Sequence, residues 1–207
     1  MKKLLGIVIM GLLWCNISIA DDLLSILGVK LRDQINNYKI LEDHGLSDFA
    51  KNVHEYTVSA KIENEYFDNT LSIDTYGPQK KIYNIRTYHK KKMDALSCQS
   101  LIKTIFNKKK SQFLERGYQL EFDKNNDGSY NENNQYFKKI DAKFSNKDDS
   151  VLFISACDTK GKTGFNAEAE VWIIFRDDSL KEIIFKEFQE KMEEDQKKED
   201  KKKVKGF

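Results

Sequence analysis

The feature that most constrains the fold of this chain is the alternation of apolar and polar residues in six segments. These segments read EYTVSAKI, NTLSIDTY, KIYNIRTYH, QYFKKIDAKF, SVLFISAC and NAEAEVWIIF. In an extended backbone, successive side chains project to opposite sides, so alternation gives a strand with one buried face. Turn-forming sequences such as GPQK separate several of the segments, which favours antiparallel pairing between neighbours.

Two other segments show the spacing of amphipathic helices. The sequence DALSCQSLIKTIFNKKKSQFLERG has an apolar stripe at helical spacing, with Asp94 placed as a cap and Gly117 as a terminator. In SLKE, Ser179 and Glu182 have the spacing of a capping box, which predicts the start of a C-terminal helix.

A further helix is predicted near the N-terminus, where Ile35, Tyr38 and Leu41 recur at helical spacing before Gly45. The order of elements is then a helix and three strands, twice, followed by a closing helix. We therefore expect an α+β fold, with an antiparallel meandering sheet, helices on one face and a C-terminal helix.

The length of the chain fits one globular domain, predicted here over residues 21–195. The repeated order of elements suggests two halves within it, residues 21–91 and residues 92–178. Residues 196–207 are rich in charge and are predicted to form a flexible tail.

The N-terminus has the organisation of a secretory signal peptide. Two lysines precede an apolar run over residues 4–14, and the small residues Ser18 and Ala20 end the segment. The apolar run is too short to span a bilayer, so we expect export after cleavage rather than an integral membrane protein. The abundance of Lys, Asn and Ile is typical of an AT-rich bacterial genome, which makes the periplasm the expected compartment and the extracellular space the alternative.

The charge balance argues against nucleic acid as a partner. The full chain has 35 basic and 33 acidic residues, and removal of Lys2 and Lys3 with the signal leaves 33 of each. A protein without excess positive charge has no general attraction for a polyanion. The segment from Lys197 onward is the local exception, with six lysines against Glu199 and Asp200, and it favours weak contact with an anionic surface.

Two cysteines, Cys98 and Cys157, remain after Cys15 is removed with the signal. Each lies on the apolar side of its predicted element, and an even pair in an oxidising compartment most simply forms one disulfide. The sequence therefore predicts a disulfide bond between Cys98 and Cys157.

The sequence VLFISACDTKGKTG resembles a relaxed phosphate-binding loop, but its context argues against nucleotide binding. A phosphate loop depends on the free N–H groups of a helix that follows it. Here the following segment, FNAEAEVWIIF, alternates as a strand does. The sequence TKGKTG is thus predicted to be the turn of a β-hairpin.

The sequence DKNNDGSYNENN contains oxygen donors at the spacing of a calcium loop, beginning with Asp123, Asn125 and Asp127. The bidentate Glu expected at the twelfth position is replaced by Asn134, and no helix precedes the loop. A weak calcium site is therefore one hypothesis for this segment, and a solvated polar loop is the other.

The last predicted strand contains four polar or aromatic residues on one side, Glu168, Glu170, Trp172 and Arg176. They would form a ligand groove on the open face of the sheet, or else the solvated side of that face.

The histidines His44, His54 and His89 are scattered and lack the spacing of metal ligands. His89 begins the basic run HKKK, which is typical of a solvated strand end. Because no catalytic constellation emerges, we expect an exported, non-catalytic protein that binds a partner protein, an envelope component or a small ligand. The alternatives are an envelope hydrolase with a dispersed active site and a weak calcium-binding module.

Export can be tested directly at the N-terminus. Mass spectrometry of the protein from its native cell is expected to find Asp21 as the first residue, because cleavage follows Ala20. An intact Met1 in the mature protein would contradict this prediction.

Overall fold

The computed structural model describes residues 23–48, 50–63, 65–130, 135–159 and 168–205, with the backbone alone at 125–130, 135–137 and 199–205. The strands are β1 (Ser25–Ile26), β2 (Val29–Lys30), β3 (Ile40–Leu46), β4 (Val53–Ser59), β5 (Thr70–Tyr76), β6 (Lys81–Tyr88), β7 (Met93–Asp94), β8 (Gln119–Tyr130), β9 (Gln135–Ser145), β10 (Ser150–Asp158) and β11 (Glu168–Asp177). The helices are α1 (Ala95–Glu115) and α2 (Lys181–Lys205), and short 3-10 turns lie at Ile35–Asn37 and Asp178–Leu180.

One antiparallel sheet organises the described residues. Eight of its strands follow the order β3-β4-β5-β6-β11-β10-β9-β8, and β7 pairs with the beginning of β11 as the ninth. Strands β3 to β6 form one meander, strands β8 to β11 form another, and the pairing of β6 with β11 joins them. The predicted α+β fold with an antiparallel meandering sheet and a C-terminal helix is confirmed.

Alternating apolar residues form a continuous buried face across the join between the two meanders. Phe175 of β11 pairs with Ile85 of β6 on one side and with Phe153 of β10 on the other. Ile85 in turn pairs with Ile73 of β5. All four side chains have no accessible surface, which is what the period of two in their segments predicts.

An N-terminal segment, residues 23–38, covers this face over the first meander. Its side chains Leu27, Val29 and Ile35 are at most 1% exposed and belong to the same core as the strands. The β1–β2 turn has positive φ at Leu27 and Gly28, as a two-residue hairpin of type I′ requires. A Cβ at Gly28 would lie 2.8 Å from Cβ of Lys61, so this position also needs glycine for close packing.

Helix α1 covers the same face over the second meander. Asp94 caps it by accepting a hydrogen bond from the backbone N–H of Ser97 at 2.9 Å, as the sequence predicts. Its buried side chains include Ile102 and Phe113, and the ring of Phe113 stacks on Phe144 of β9. This stripe of apolar residues is the reason the amphipathic helix lies on the sheet.

A buried lysine joins the N-terminal segment to α1. Lys109 of α1 is 2% exposed, and its Nζ donates a hydrogen bond to the carbonyl oxygen of Leu23 at 3.2 Å. The same ammonium lies 5.5 Å from the ring centre of Phe175, where a cation–π interaction is favourable. The N-terminal segment and α1 are therefore held together as well as held to the sheet.

Cys98 of α1 and Cys157 of β10 lie at disulfide distance, as the sequence predicts. Their sulfur atoms are 2.07 Å apart and their Cα atoms 6.0 Å apart, and both residues are at most 1% exposed. The bond ties the first turn of α1 to the end of β10 in the second meander.

Helix α2 lies against the opposite face of the sheet. Its Glu187 accepts hydrogen bonds from Asn52 at 2.8 Å and from Tyr76 at 2.7 Å. Further along, Glu194 pairs with Lys51 at 2.5 Å. The helical backbone continues to Lys205, so the predicted tail of residues 196–207 begins inside a helix. No helix among the described residues is long and apolar enough to cross a membrane.

The helix predicted from Ile35, Tyr38 and Leu41 is wrong. The chain makes a single 3-10 turn at Ile35–Asn37 and then enters the edge strand Ile40–Leu46. Ile35 and Tyr38 are buried because they belong to the segment that covers the sheet, whereas Leu41 is 43% exposed on the edge strand. Their spacing resembled a helical stripe, but these residues do not share one packed face.

The cap predicted at Ser179 also differs in the structure. Asp177 provides the capping side chain, and it accepts hydrogen bonds from the N–H of Ser179 at 3.1 Å and from its hydroxyl at 2.5 Å. A 3-10 turn therefore precedes α2, and the helix begins at Lys181.

Arg32 connects the N-terminal segment to the second meander. It pairs with Asp177 at the end of β11, with Nε 2.6 Å from the carboxylate, and with Asp149 before β10. Tyr118 also donates a hydrogen bond to Asp149. Burial raises the pKa of Asp149, but the hydrogen bonds from Arg32 and Tyr118 outweigh it, so that pKa lies below its ordinary value.

The disulfide is expected to stabilise the fold substantially. Replacement of both cysteines by alanine should lower the free energy of unfolding by up to about 4 kcal/mol, because the bond closes a long loop in the unfolded chain. Urea denaturation of the oxidised wild type and of the double variant measures the difference. Equal stabilities, or two reactive thiols in the unfolded, unreduced wild type, would contradict the disulfide.

The Arg32–Asp149 pair is expected to make stability depend on pH. Because the pKa of Asp149 is lowered on folding, its contribution is present above 3.8, the ordinary value, and is lost as the pH falls through the folded value. Asp149→Asn should therefore lower stability at pH 7 by about 2 kcal/mol, as expected for hydrogen bonds to a charged group. Chemical denaturation at neutral and acidic pH should show this difference shrinking below the ordinary pKa, whereas a constant difference would contradict the assignment.

Candidate functional site

The hairpin predicted around TKGKTG agrees with the pairing of its strands. Cys157 of β10 pairs with Val171 of β11, and Asp158 pairs with Glu170. The connecting residues 160–167 lie outside the described residues. The next described residues form the strand β11, whereas a phosphate loop is followed by a helix.

The predicted groove residues Glu168, Glu170, Trp172 and Arg176 share one face of β11, the face that α1 does not cover. Trp172 makes an edge-to-face contact with Tyr88 of β6, with ring centres 5.5 Å apart. Glu168 lies 4.0 Å from Lys92 at one end of the strand, and Arg176 lies near α2 at the other. The structure thus places the four residues along one strand, and their joint role as a groove stays a prediction.

The segment predicted to bind calcium begins inside β8. Asp123 is exposed and forms an ion pair with Lys110 of α1 at 2.9 Å. The backbone of Asn125 and Asp127 is extended and pairs with β9, whereas their side chains lie outside the described part of the structure. Among the described residues, no group of three or more His, Cys, Asp or Glu is arranged to hold a metal ion, and a calcium site here stays a prediction.

A cavity of about 530 Å³ lies where the end of β6, β7 and the start of α1 meet. We call it the aromatic–lysine cavity. It is lined by the apolar side chains Tyr66, Phe67, Met93 and Leu101, and by the polar or charged residues Glu65, His89, Lys91, Lys92 and Ser97.

Backbone hydrogen bonds fix the walls of this cavity. The N–H of Asp68 donates to the carbonyl oxygen of Tyr88, and the N–H of Lys90 donates to that of Tyr66, each at 2.8 Å. This pairing extends the sheet beyond β6 and brings Phe67 beside His89. The residues that form the cavity are therefore held by the sheet although several lie between the regular strands.

His89 lies against the aromatic wall. Its ring meets Phe67 edge-on with centres 5.5 Å apart and lies 6.4 Å from the ring of Tyr66. Its Nδ1 lies 2.7 Å from the carbonyl oxygen of Lys91, which fixes the orientation of the imidazole. His89 is thus held in one orientation beside the apolar wall.

The described lining of the aromatic–lysine cavity contains two lysines and one glutamate, an excess of one positive charge. Lys91 and Lys92 are exposed at its edge, and Nζ of Lys92 lies 4.0 Å from the carboxylate of Glu168, at the limit of an ion pair. Glu65 is the acidic residue among the described residues that line the cavity. It accepts a hydrogen bond from the hydroxyl of Tyr66, which raises the pKa of Tyr66. The balance of charge favours an anionic group at the edge of the cavity.

No local pattern in the sequence indicates this cavity. The run HKKK predicted a solvated strand end, because a charge run by itself does not show what lies beside it. The aromatic wall comes from residues 65–67, about twenty-five residues earlier in the chain, and the remaining wall from α1. Only the pairing of residues 66–68 with 88–90 brings these parts together.

A second cavity of about 400 Å³ lies between α2 and the sheet, and we call it the helix–sheet pocket. A β-bulge shapes its floor, because Asp74 pairs with Asn84 while the next residue of β5 pairs with Ile82, leaving Tyr83 as the extra residue. It is lined by Asp74, Tyr83, Asn84, Arg176, Asp177, Lys181, Ile184, Phe185 and Phe188.

A buried carboxylate lies at the centre of that floor. Asp74 is 7% exposed, and it accepts hydrogen bonds from Asn84 at 2.6 Å and from Arg86 at 2.7 Å. Burial raises the pKa of Asp74 above its ordinary value, although Arg86 and Asn84 act in the opposite direction. Burial likewise raises the pKa of Tyr83.

Comparisons with known proteins do not indicate a function for this chain. No protein-family model, no curated protein and no solved structure matches this chain. The two cavities, with their linings and their charges, are the features of the described residues that point to a function.

Proposed function

We propose that this protein is an exported, non-catalytic binding protein that holds a small, largely apolar molecule with an anionic group. The aromatic–lysine cavity carries this proposal, because it combines an apolar wall with a positively charged edge.

The size and lining of the cavity suit such a ligand. Small-molecule sites commonly have volumes of roughly 300–1,000 Å³ and are lined mainly by apolar side chains with a few polar groups. The aromatic–lysine cavity, at about 530 Å³, lies within that range. Phe67 forms its buried base and Tyr66, Met93 and Leu101 line the more open parts, so an apolar body would displace water from carbon-rich surface.

The charged edge gives the reason for an anionic group. Lys91 and Lys92 are exposed, so their ammonium groups keep their hydration while they approach a ligand at the mouth of the cavity. A carboxylate or sulfonate there would make charge-assisted hydrogen bonds with them. The interior of the cavity is apolar, and a charged group would be costly to bury within it.

The disulfide supports the wall that α1 contributes. Cys98 lies between Ser97 and Leu101, which both line the cavity, and its bond to Cys157 fixes this turn of the helix to β10. A lining held in place before binding costs less conformational entropy when the ligand arrives.

The polar groups of the cavity favour binding over hydrolysis. The hydroxyl of Ser97 donates to Asp94 at 2.6 Å, as part of the cap of α1. The Nδ1 of His89 lies against the backbone of Lys91. Among the described residues of this lining, no serine or cysteine is hydrogen-bonded to the histidine as an activated nucleophile would be.

The N-terminus and the cysteines support a site of action outside the cytoplasm. A signal peptide over residues 1–20 would direct the chain out of the cytoplasm, and the paired cysteines suit an oxidising compartment. We place the binding protein in the periplasm of a bacterium.

Two fluorescent probes that differ in one charge test the proposal. The probe 1-anilinonaphthalene-8-sulfonate is an apolar anion, and N-phenyl-1-naphthylamine is its neutral counterpart. In a K91Q/K92Q double variant, affinity for the sulfonate should fall about tenfold, the sum of two modest ionic contributions. Affinity for the neutral probe should stay within twofold, since the apolar wall is unchanged.

The matched control is a K30Q/K39Q double variant, which removes the same charge from surface positions outside the cavity. It should bind both probes as the wild type does, and thermal unfolding checks that each variant is folded. Leu101→Trp, which fills the cavity, should weaken both probes. If the two double variants lose sulfonate affinity equally, or if Leu101→Trp weakens neither probe, the cavity is not the binding site.

A further inference from the structure

We propose that the helix–sheet pocket is a second binding site, and that its ligand is a saccharide ring. This site lies on the opposite face of the sheet from α1 and is independent of the aromatic–lysine cavity. The observation that carries the proposal is a hydrogen-bond donor and an acceptor, both buried and unpaired among the described residues, beside the aromatic side chains of α2.

The acceptor is the amide oxygen of Asn84. This residue is 8% exposed and lines the pocket. Its Nδ2 donates to Asp74 at 2.6 Å, which fixes which way the amide points. Its Oδ1 is buried and has no hydrogen-bond partner in the part of the chain that the structure describes, whereas buried polar atoms are normally paired.

The donor is the Nε–H group of Arg176. Its Nε is also buried without a partner in the described part of the chain, although a terminal nitrogen of the same guanidinium lies 3.6 Å from Asp178. Arg176 pairs directly with Asn84 across β11 and β6. Their side chains therefore lie side by side on one face of the sheet.

A donor and an acceptor so close together select the chemistry of the ligand. A carboxylate would accept from Arg176 but has no proton for Asn84, and it would also approach the carboxylate of Asp74. A trans peptide group directs its N–H and C=O in opposite directions, so one peptide bond would satisfy only one of the two residues. A hydroxyl both donates and accepts, and neighbouring hydroxyls on a ring present both functions along one edge.

The wall contributed by α2 suits the other face of such a ring. Phe185 is 54% exposed, and with Phe188 and Ile184 it borders the polar floor of the pocket. The C–H groups on one face of a sugar ring are apolar and pack against aromatic side chains, while its hydroxyls lie at the edges. The pocket, at about 400 Å³, is near the lower end of the range for small-molecule sites, which fits one or two rings.

Polar contacts on a neighbouring side of α2 hold the helix in position. Glu187, one residue before Phe188, accepts hydrogen bonds from Asn52 and Tyr76. Lys191, one turn further along, donates to the carbonyl oxygen of Ser47 at 3.1 Å. These contacts orient α2 so that Phe185 and Phe188 meet the floor.

Saturation-transfer difference NMR on the full mature protein tests the proposal with glucose, N-acetylglucosamine and cellobiose as probes. At least one of these sugars should bind the wild type. Phe185→Ala should weaken that sugar about tenfold or more, as expected for loss of an aromatic contact. Ile183→Ala is the matched control, because Ile183 is 49% exposed on the same helix but does not line the pocket.

Two further variants show whether the sugar binds at this pocket. Arg176→Met, checked by thermal unfolding, should also weaken the sugar, because it removes the buried donor. The K91Q/K92Q variant should bind the sugar as the wild type does, which keeps this site distinct from the aromatic–lysine cavity. The proposal is overturned if none of the three sugars binds, if Phe185→Ala and Ile183→Ala behave alike, or if an N-acetyl trialanine amide binds and the sugars do not.

Discussion

The pairing of β6 with β11 is the interaction on which the rest of the structure depends. It joins two meanders that would otherwise be separate sheets, and it aligns Ile85 with Phe175 in one buried row. Because the joined sheet has a single apolar face, the N-terminal segment and α1 can cover it side by side. Lys109 then connects the N-terminal segment to α1, and Arg32 connects the N-terminal segment to the end of β11. Each of these contacts requires the two meanders to lie next to each other.

Both candidate sites arise from irregularities in or just beyond β6. At its end, the chain continues past Tyr88 and places His89 beside Phe67, which opens the aromatic–lysine cavity. Near its start, the bulge at Tyr83 brings that residue and Asn84 to the floor of the helix–sheet pocket. Bulges commonly redirect side chains next to functional sites. The strand that joins the sheet therefore contributes residues to the helix–sheet pocket and leads directly into the wall of the aromatic–lysine cavity.

The sequence predicted the parts of the fold that local pattern controls. Alternation identified β4 to β6 and β9 to β11, and Asp94 was correctly assigned as the cap of α1. Prediction from the sequence failed where the position of a residue in the fold, and not its local spacing, decides its burial. The helix predicted through Ile35 and Tyr38 is the example. The lysines of the aromatic–lysine cavity were visible only as a charge run, since their aromatic neighbours come from a distant part of the chain. Arg176 was predicted as a groove residue, but its partner Asn84 depends on strand pairing that no local pattern shows.

The position of β11 has a consequence for how the molecule folds. It is the last strand along the chain, yet it lies at the centre of the sheet, and residues 89–167 separate it from the strand that it joins. Contacts between such distant residues form slowly, because a long loop must close before any of them is made. Until β11 is in place, β6 and β10 are both open edges, and open edges pair readily with other chains. A chain shortened before Glu168 would therefore aggregate rather than fold into a smaller stable protein.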